Sequence, residues 1–221
     1  MTDGRATRWD DHKMQRRDRI LEAALEAVED GGTDIGVQQI AERAQVPRSV
    51  VYRIFADRGD LDEQIRLRII DAMMAELGPV LTPHGTVREA IVLAVDTYLR
   101  WIVEHPRLHA FLGKGAPSRK TVGSRAVTGT KTAIGIQLGA LLAGILDRRG
   151  VTSNLAEPMA FALVGLVDAT VNRWLSQPES PVPSEDLARF LETSIWSVLD
   201  ANLRALGVDI EPSTPVAELQ V

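Results

Sequence analysis

The chain has 221 residues, 45% of them hydrophobic and 25% charged, with a formal net charge of -5 and no cysteine. That length and apolar share fit a globular protein of one large or two modest domains, not a disordered chain. The lack of cysteine excludes a disulfide scaffold, thiolate zinc fingers, iron–sulfur ligation and thiol redox sensing, and the acidic total argues against nucleic acid as a partner.

Residues 1–15 hold no apolar run; Arg5, Arg8 and Lys13 alternate with Asp3, Asp10 and Asp11. They predict an N-terminal extension ahead of the first helix, with no secretory core. Ile20, Leu21, Ala24, Leu25 and Val28 then recur at helical spacing until Gly31-Gly32 stops the pattern. Val37, Ile40, Ala41 and Ala44 mark a short helix, Pro47 breaks it, and Val50, Val51 and Ile54 mark a second. From Asp60 a longer run carries Leu61, Ile65, Ile69, Met73 and Leu77, and Gly78-Pro79 ends it. Thr86-Val87-Arg88-Glu89 predicts a capping box opening a helix with Ile91, Val95, Leu99 and Ile102, which ends near His105-Pro106. A short amphipathic piece, Arg107 to Leu112, precedes a Gly-, Ser- and Thr-rich stretch over 113–130 that reads as a mobile loop.

Helical pattern resumes from about Thr130 to Arg148, Ala156 to Leu175 and Ser184 to Leu206, with Gln177 to Pro183 as a connection. The tail from Gly207 has two prolines and little pattern, and is expected to fray. The longest apolar stretch, Thr132 to Leu146, spans 15 residues between Lys131 and Asp147. It falls short of the roughly 20 residues a spanning helix needs, so the expectation is a buried core helix in a cytoplasmic protein. No strand pattern emerges. The predicted fold class is all-α with about nine helices: an extension (1–15), a three-helix unit (16–59), a helical bundle (60–206) and a flexible tail (207–221).

The informative stretch is Arg16 to Ile65. Ile40, Ala41, Ala44 and Val46 face inward with Val50, Val51 and Phe55, and the small Ala41 and Ala44 let two short helices approach closely. This is a helix-turn-helix, whose second helix enters the major groove. Gln38, Gln39, Arg48, Ser49 and Arg53 are exposed by pattern; Gln suits the adenine edge and Arg the guanine edge, while Val50 can meet a thymine methyl. Tyr52 and Arg58 are placed for phosphate oxygens, which fix register.

The segment resembles the TetR family of bacterial transcription regulators. The resemblance rests on Ile20-Leu21-Glu22-Ala23-Ala24, Ile40-Ala41-Glu42-Arg43-Ala44, Val46, Tyr52, Phe55 and the Arg58…Leu61 opening of the fourth helix, about 45 residues in all. Four positions depart from the usual pattern. Ile35-Gly36 stands where Thr or Ser often starts the second helix, so that Thr33 or Asp34 is left to cap it. Gln45 occupies the usual glycine of the turn and must take a left-handed or distorted backbone. Pro47 replaces a Ser cap, and Ile54 a polar residue. Likeness to other DNA-binding arms also suggests a minor-groove contact for residues 1–15, with a disordered, solvated terminus as the alternative because Asp3, Asp10 and Asp11 dilute the charge.

The resemblance implies that the residues from about 60 form a ligand-binding and dimerisation domain. The 156–175 segment is apolar around most of its circumference, which predicts burial on all sides, and the 184–206 helix has two apolar rows, one of them including Phe190. Phe161, Val164, Val167, Val171, Leu187, Leu191, Ile195 and Leu199 are the expected dimer residues, forming a two-fold four-helix interface. Met73, Trp101, His105, Phe111 and Trp174 are the candidates for an effector pocket, with ordinary core packing as the alternative. Gly135, Gly139 and Gly144 suggest close helix approach.

The expected partners are a double-stranded operator, a second copy of the chain and a small apolar or amphipathic effector, with no membrane, cofactor or metal. His105 and His109 have the spacing of helical metal ligands, but Pro106 biases His105 away from helix and no carboxylate accompanies the pair at helical spacing. No nucleotide-binding or nucleophile-elbow motif suggests an enzyme. The predicted function is a ligand-responsive repressor; the alternative is a helical ligand-binding dimer that leaves DNA alone. Charge is compatible with either. Residues 1–58 hold 10 Lys and Arg against 11 Asp and Glu, residues 59–221 hold 15 against 19, and from Arg43 to Arg58 four Arg face Asp57 alone.

Overall fold

The computed structural model describes residues 4–82, 84–113, 125–152, 154–177 and 182–219, with side chains from Met14 onward. Among them are ten helices and no strand beyond an isolated bridge. The helices are α1 (Gly4–Gly31), α2 (Val37–Arg43), α3 (Arg48–Ile54), α4 (Arg58–Val80), α5 (Val87–Glu104), α6 (Pro106–Gly113), α7 (Arg125–Arg148), α8 (Ala156–Leu175), α9 (Ser184–Ala205) and α10 (Val216–Leu219).

The predicted start of α1 near residue 16 is wrong: the helix already runs from Gly4. Residues 4–15 contain no proline, so a helix nucleated by the apolar face further on extends backward without needing a buried stripe of its own. Its other end is where the sequence puts it. Gly32 takes φ +82° and returns its N–H to the Val28 carbonyl at 2.8 Å, a left-handed stop that glycine adopts at low cost.

The chain divides into two compact units. The first joins α1, α2, α3, α4 as far as Ala72, the end of α5 from Ile102, α6, and the start of α7 to Thr128. Ile20, Ala24 and Val28 of α1, Ile40 and Ala41 of α2, Val51 of α3, Phe55, and Leu61 and Ile65 of α4 are all buried. The carbonyls at the C-terminus of α1 find donors on α6: Arg107 Nη1 bonds the carbonyls of Glu29 and Asp30 at 2.5 and 2.6 Å. His105 Nδ1 lies 2.6 Å from Glu29 Oε1. Arg66 of α4 is only 2% exposed. Its guanidinium lies over the Phe111 ring at 5.6 Å and meets Glu63 at 3.2 Å, while Glu63 Oε1 accepts the N–H of Ala126 in the first turn of α7 at 2.8 Å. A buried charge of this kind requires such pairing.

The second unit joins α4 from Met73, α5 to Trp101, the rest of α7, and α8, α9 and α10. The predicted capping box is present: Thr86 Oγ1 accepts the Glu89 N–H at 3.2 Å and Glu89 Oε2 accepts the Thr86 N–H at 2.8 Å. α7 and α8 approach closely. A Cβ at Gly135 would lie 3.0 Å from the Phe161 ring, and one at Gly139 3.2 Å from the Glu157 backbone. Gly144 plays a different part, since a Cβ there would meet only the Arg148 side chain of its own helix.

Three further expectations fail here. As far as Leu219 the tail does not fray: Val208, Ile210, Val216 and Leu219 are buried, and the N–H groups of Val87 and Arg88, in the first turn of α5, bond the carbonyls of Thr214 and Pro212 at 3.0 and 2.9 Å. The tail is ordered because it caps a helix N-terminus, and four apolar side chains spaced unevenly around two prolines escape a search for helical period. The loop predicted over 113–130 gives way to α7 at Arg125; residues 114–124 lie outside the described residues, as do 178–181 of the expected connection. α7 is also the one described helix long and apolar enough to cross a membrane, by length and composition only. Finally, α8 is not covered on all sides. Ala156, Met159, Ala160, Leu163 and Val171 are buried, while Phe161 is 38% exposed.

Candidate nucleic-acid interface

α2 and α3 are held by their backs. Ile40, Ala41 and Ala44 of the first face Val51 and Phe55 beyond the turn, all buried, and this fixes which side chains are left outside. The turn itself is a Schellman closure: Val46 N–H bonds the Ala41 carbonyl at 2.9 Å and Gln45 N–H the Glu42 carbonyl at 3.0 Å. Gln45 takes φ +52°, the one positive φ at a non-glycine position among the described residues, as the resemblance required. Pro47 is the N-cap of α3 at φ -60°, ψ 143°; with no N–H to satisfy and a ring that pre-sets φ, it starts the helix without a side-chain cap.

The cap of α2 differs from expectation. Neither Thr33 nor Asp34 holds the N-cap position; Gly36 does, and Gln39 reaches back so that its Oε1 accepts the Gly36 N–H at 2.7 Å. Glycine brings no side chain to the cap, so only this half of the reciprocal arrangement exists. Gln39 therefore spends its carbonyl oxygen on the helix. Arg58, half-buried at the start of α4, is committed in the same way. Its Nη1 donates to the Ile35 carbonyl at 2.9 Å and its Nη2 pairs with Asp62 at 2.8 Å.

Gln38, Arg48, Ser49, Tyr52 and Arg53 remain exposed, and Val50 is half-buried at their edge. Two of these are oriented by neighbours one turn away. Gln38 Nε2 donates to Glu42 Oε1 at 2.7 Å. Arg48 Nη2 donates to Tyr52 Oη at 3.3 Å, and its guanidinium carbon lies 5.4 Å from the Tyr52 ring centre. Sequence analysis missed Glu42 in this part, although the i, i+4 spacing from Gln38 signals it. It also missed Asp57, whose Oδ1 accepts the Asp60 N–H at 2.8 Å and caps α4; the Asp-x-x-Asp pattern was legible. Asp30 supports the outer end of α2 through an ion pair with Arg43 at 2.6 Å.

The effector candidates fall into separate units. In the first, His105 binds Glu29 and Phe111 is buried over Arg66. In the second, Met73 and Trp101 are buried, and Trp174 Nε1 donates to the Val182 carbonyl at 2.9 Å. Tyr98 in this unit has its hydroxyl held far above its usual range by burial, and secondarily by the Asp168 charge; Asp168 pairs with Lys131 at 2.7 Å. Among the described residues, no cluster of three or more His, Asp and Glu side chains is placed to hold a metal ion. Of the expected dimer residues, Val171, Leu187 and Leu191 are buried within the single chain. They have almost no surface left to give a partner, because the apolar pattern of α8 and α9 serves two faces at once. Val164, Val167, Ile195 and Leu199 are half-buried, and Leu199 packs against the inner core. Within α8 and α9, Phe161 and Phe190 are the large apolar side chains left exposed.

Residues 20–65 match the family model for bacterial regulatory proteins of the tetR family. An uncharacterised HTH-type transcriptional regulator of Mycobacterium tuberculosis is 28% identical over 211 residues, covering 93% of this chain and 86% of that protein. A tetR-family transcriptional regulator from Streptomyces coelicolor superposes with a TM-score of 0.66 at 19% identity, covering 93% of this chain and 94% of the other. RolR in its complex with resorcinol superposes with a TM-score of 0.61 at 18% identity over 95% of each chain.

Proposed function

We propose that this chain, a TetR-family transcriptional regulator with a helix-turn-helix, acts as a cytoplasmic homodimeric repressor that a small molecule releases from a palindromic operator. The observation that carries the DNA part is the outward set Gln38, Arg48, Ser49, Tyr52 and Arg53 around a turn whose inner residues are buried. Arg48 and Arg53 read bases or phosphates from α3, with Gln38 and Ser49 beside them and Val50 toward a thymine methyl. Gln39 and Arg58 contribute chiefly by holding α2 and α4 in place, and reach DNA only with the donors they have left.

Dimerisation is supported by the apolar surface that α8 and α9 leave exposed: Phe190 is 55% exposed and Phe161, whose ring also lies beside Gly135 of α7, 38%, with Val164, Val167 and Ile195 half-buried. Large apolar side chains grouped on helix faces mark association surfaces. A two-fold dimer sets two α3 helices against successive major-groove faces, roughly 34–36 Å apart for the simplest spacing. An effector that binds the mis-spaced state better lowers operator affinity by the same factor by which operator lowers effector affinity. RolR takes resorcinol, a small amphipathic ring; an effector of that general class suits an interior with Met73, Trp101 and Tyr98.

Retention of sheared bacterial DNA by the immobilised protein tests the proposal. The wild type should retain specific fragments, and an Arg48→Ala/Arg53→Ala variant with unchanged circular dichroism and sedimentation should lose them. Equal retention by both would move the interface elsewhere. No specific retention by either would favour a ligand-binding dimer that leaves DNA alone.

A further inference from the structure

We infer that Tyr52 is a positioning residue for Arg48, holding its guanidinium for a base edge, rather than a phosphate anchor acting on its own account. The inference rests on the proposal that α3 enters the major groove.

Arg48 is the first residue of α3 and Tyr52 lies four positions on. Side chains on a helix lean toward its N-terminus, so a ring at position i+4 covers the residue one turn earlier. Here the guanidinium carbon lies 5.4 Å from the ring centre and Nη2 donates to Oη at 3.3 Å. Both contacts act on the same group, on an outer surface where Tyr52 is 42% exposed. An unrestrained arginine at a helix start samples many rotamers, and each must be given up when the side chain docks. The bond to Oη spends one N–H of Nη2; the N–H groups left over, on a guanidinium held beside the ring, are those that match the O6 and N7 acceptors of guanine. The first turn of a recognition helix is also the part that meets base edges. Tyr52 thus contributes specificity through Arg48, at the base pair that Arg48 reads.

Binding to the site selected by the wild type, and to variants changed at each base pair, tests this in wild type, Tyr52→Phe, Tyr52→Ala and Arg48→Ala. The expected loss for Tyr52→Ala is of order tenfold, and concentrated at the base pair whose preference Arg48→Ala also erases. Tyr52→Phe, which keeps the ring, should retain the base preference. Tyr52→Ala should cost much less in an Arg48→Ala background. A uniform loss across all sequences, equal for Tyr52→Phe and Tyr52→Ala and undiminished without Arg48, would overturn the inference in favour of a direct phosphate contact. If the wild type selects no site at all, the failure lies in the DNA-binding proposal beneath it.

Discussion

Gln45 shows how a single residue can carry a cost that the fold absorbs. The turn between α2 and α3 needs a left-handed residue, and glutamine supplies it at φ +52° against the steric preference of L-residues. Gln45→Gly is therefore expected to raise unfolding stability by about 1 kcal/mol, read as a higher urea midpoint with unchanged slope. Gly139 is the opposite case. Its missing side chain lets the α7 backbone approach that of α8, with the Glu157 backbone 3.2 Å from the place a Cβ would occupy. Gly139→Val should destabilise by about 2 kcal/mol, measured in the same way. Both positions were visible in the sequence: the turn position through the family resemblance, which puts Gln45 where glycine is usual, and the glycine through its place on one helix. What the sequence did not resolve was the commitment of individual polar atoms. Gln39 and Arg58 look like free recognition groups in a linear pattern, yet Gln39, though exposed, gives its oxygen to the Gly36 N–H, and Arg58 donates to the Ile35 carbonyl besides pairing with Asp62; the two backbone partners leave no side-chain signal.

At the scale of elements, the ends of helices matter more than their middles. The C-terminus of α1 is closed by Arg107 from α6, 78 positions away from Glu29 in sequence, and no local pattern could have foretold it. Arg107→Ala should cost about 1 kcal/mol and speed hydrogen exchange at the C-terminal turn of α1, while Arg107→Lys, whose ammonium reaches less far than the Nη1 that makes both bonds, should restore only part. α5 shows a legible end. The Thr86 N–H and hydroxyl hold the Glu89 carboxyl below its ordinary value of 4.5. Because the folded form depresses this pKa, the contribution is complete above that value and is lost as pH falls through the lower, folded one. Glu89→Gln should flatten that part of the acid limb of stability, followed by thermal melts between pH 3 and 6. Helix existence was legible from α1 to α9 because apolar spacing is a strong local signal; the four-residue α10, in the tail expected to fray, was not. The start of α1 was not, since residues 4–15 have no apolar stripe.

For the whole molecule, the tail gives the sharpest contrast with expectation. Deleting residues 208–221 removes four buried apolar side chains and two bonds to the first turn of α5. The expected loss is of order 4 kcal/mol; a frayed tail would give none, and urea melts of the full and shortened chains decide between them. The net charge of -5 first argued against DNA, yet it averages over a nearly neutral stretch, residues 1–58, and a more acidic remainder. With four Arg and one Asp between Arg43 and Arg58, the nonspecific electrostatic term is modest, so affinity should lean on base contacts and on two-fold avidity. Selection of DNA from a random pool by the purified protein, with the mass of the resulting complex, tests this most directly. The account predicts one enriched, two-fold symmetric sequence carrying an even number of chains; an unenriched pool, or an asymmetric site bound by a single chain, would contradict it.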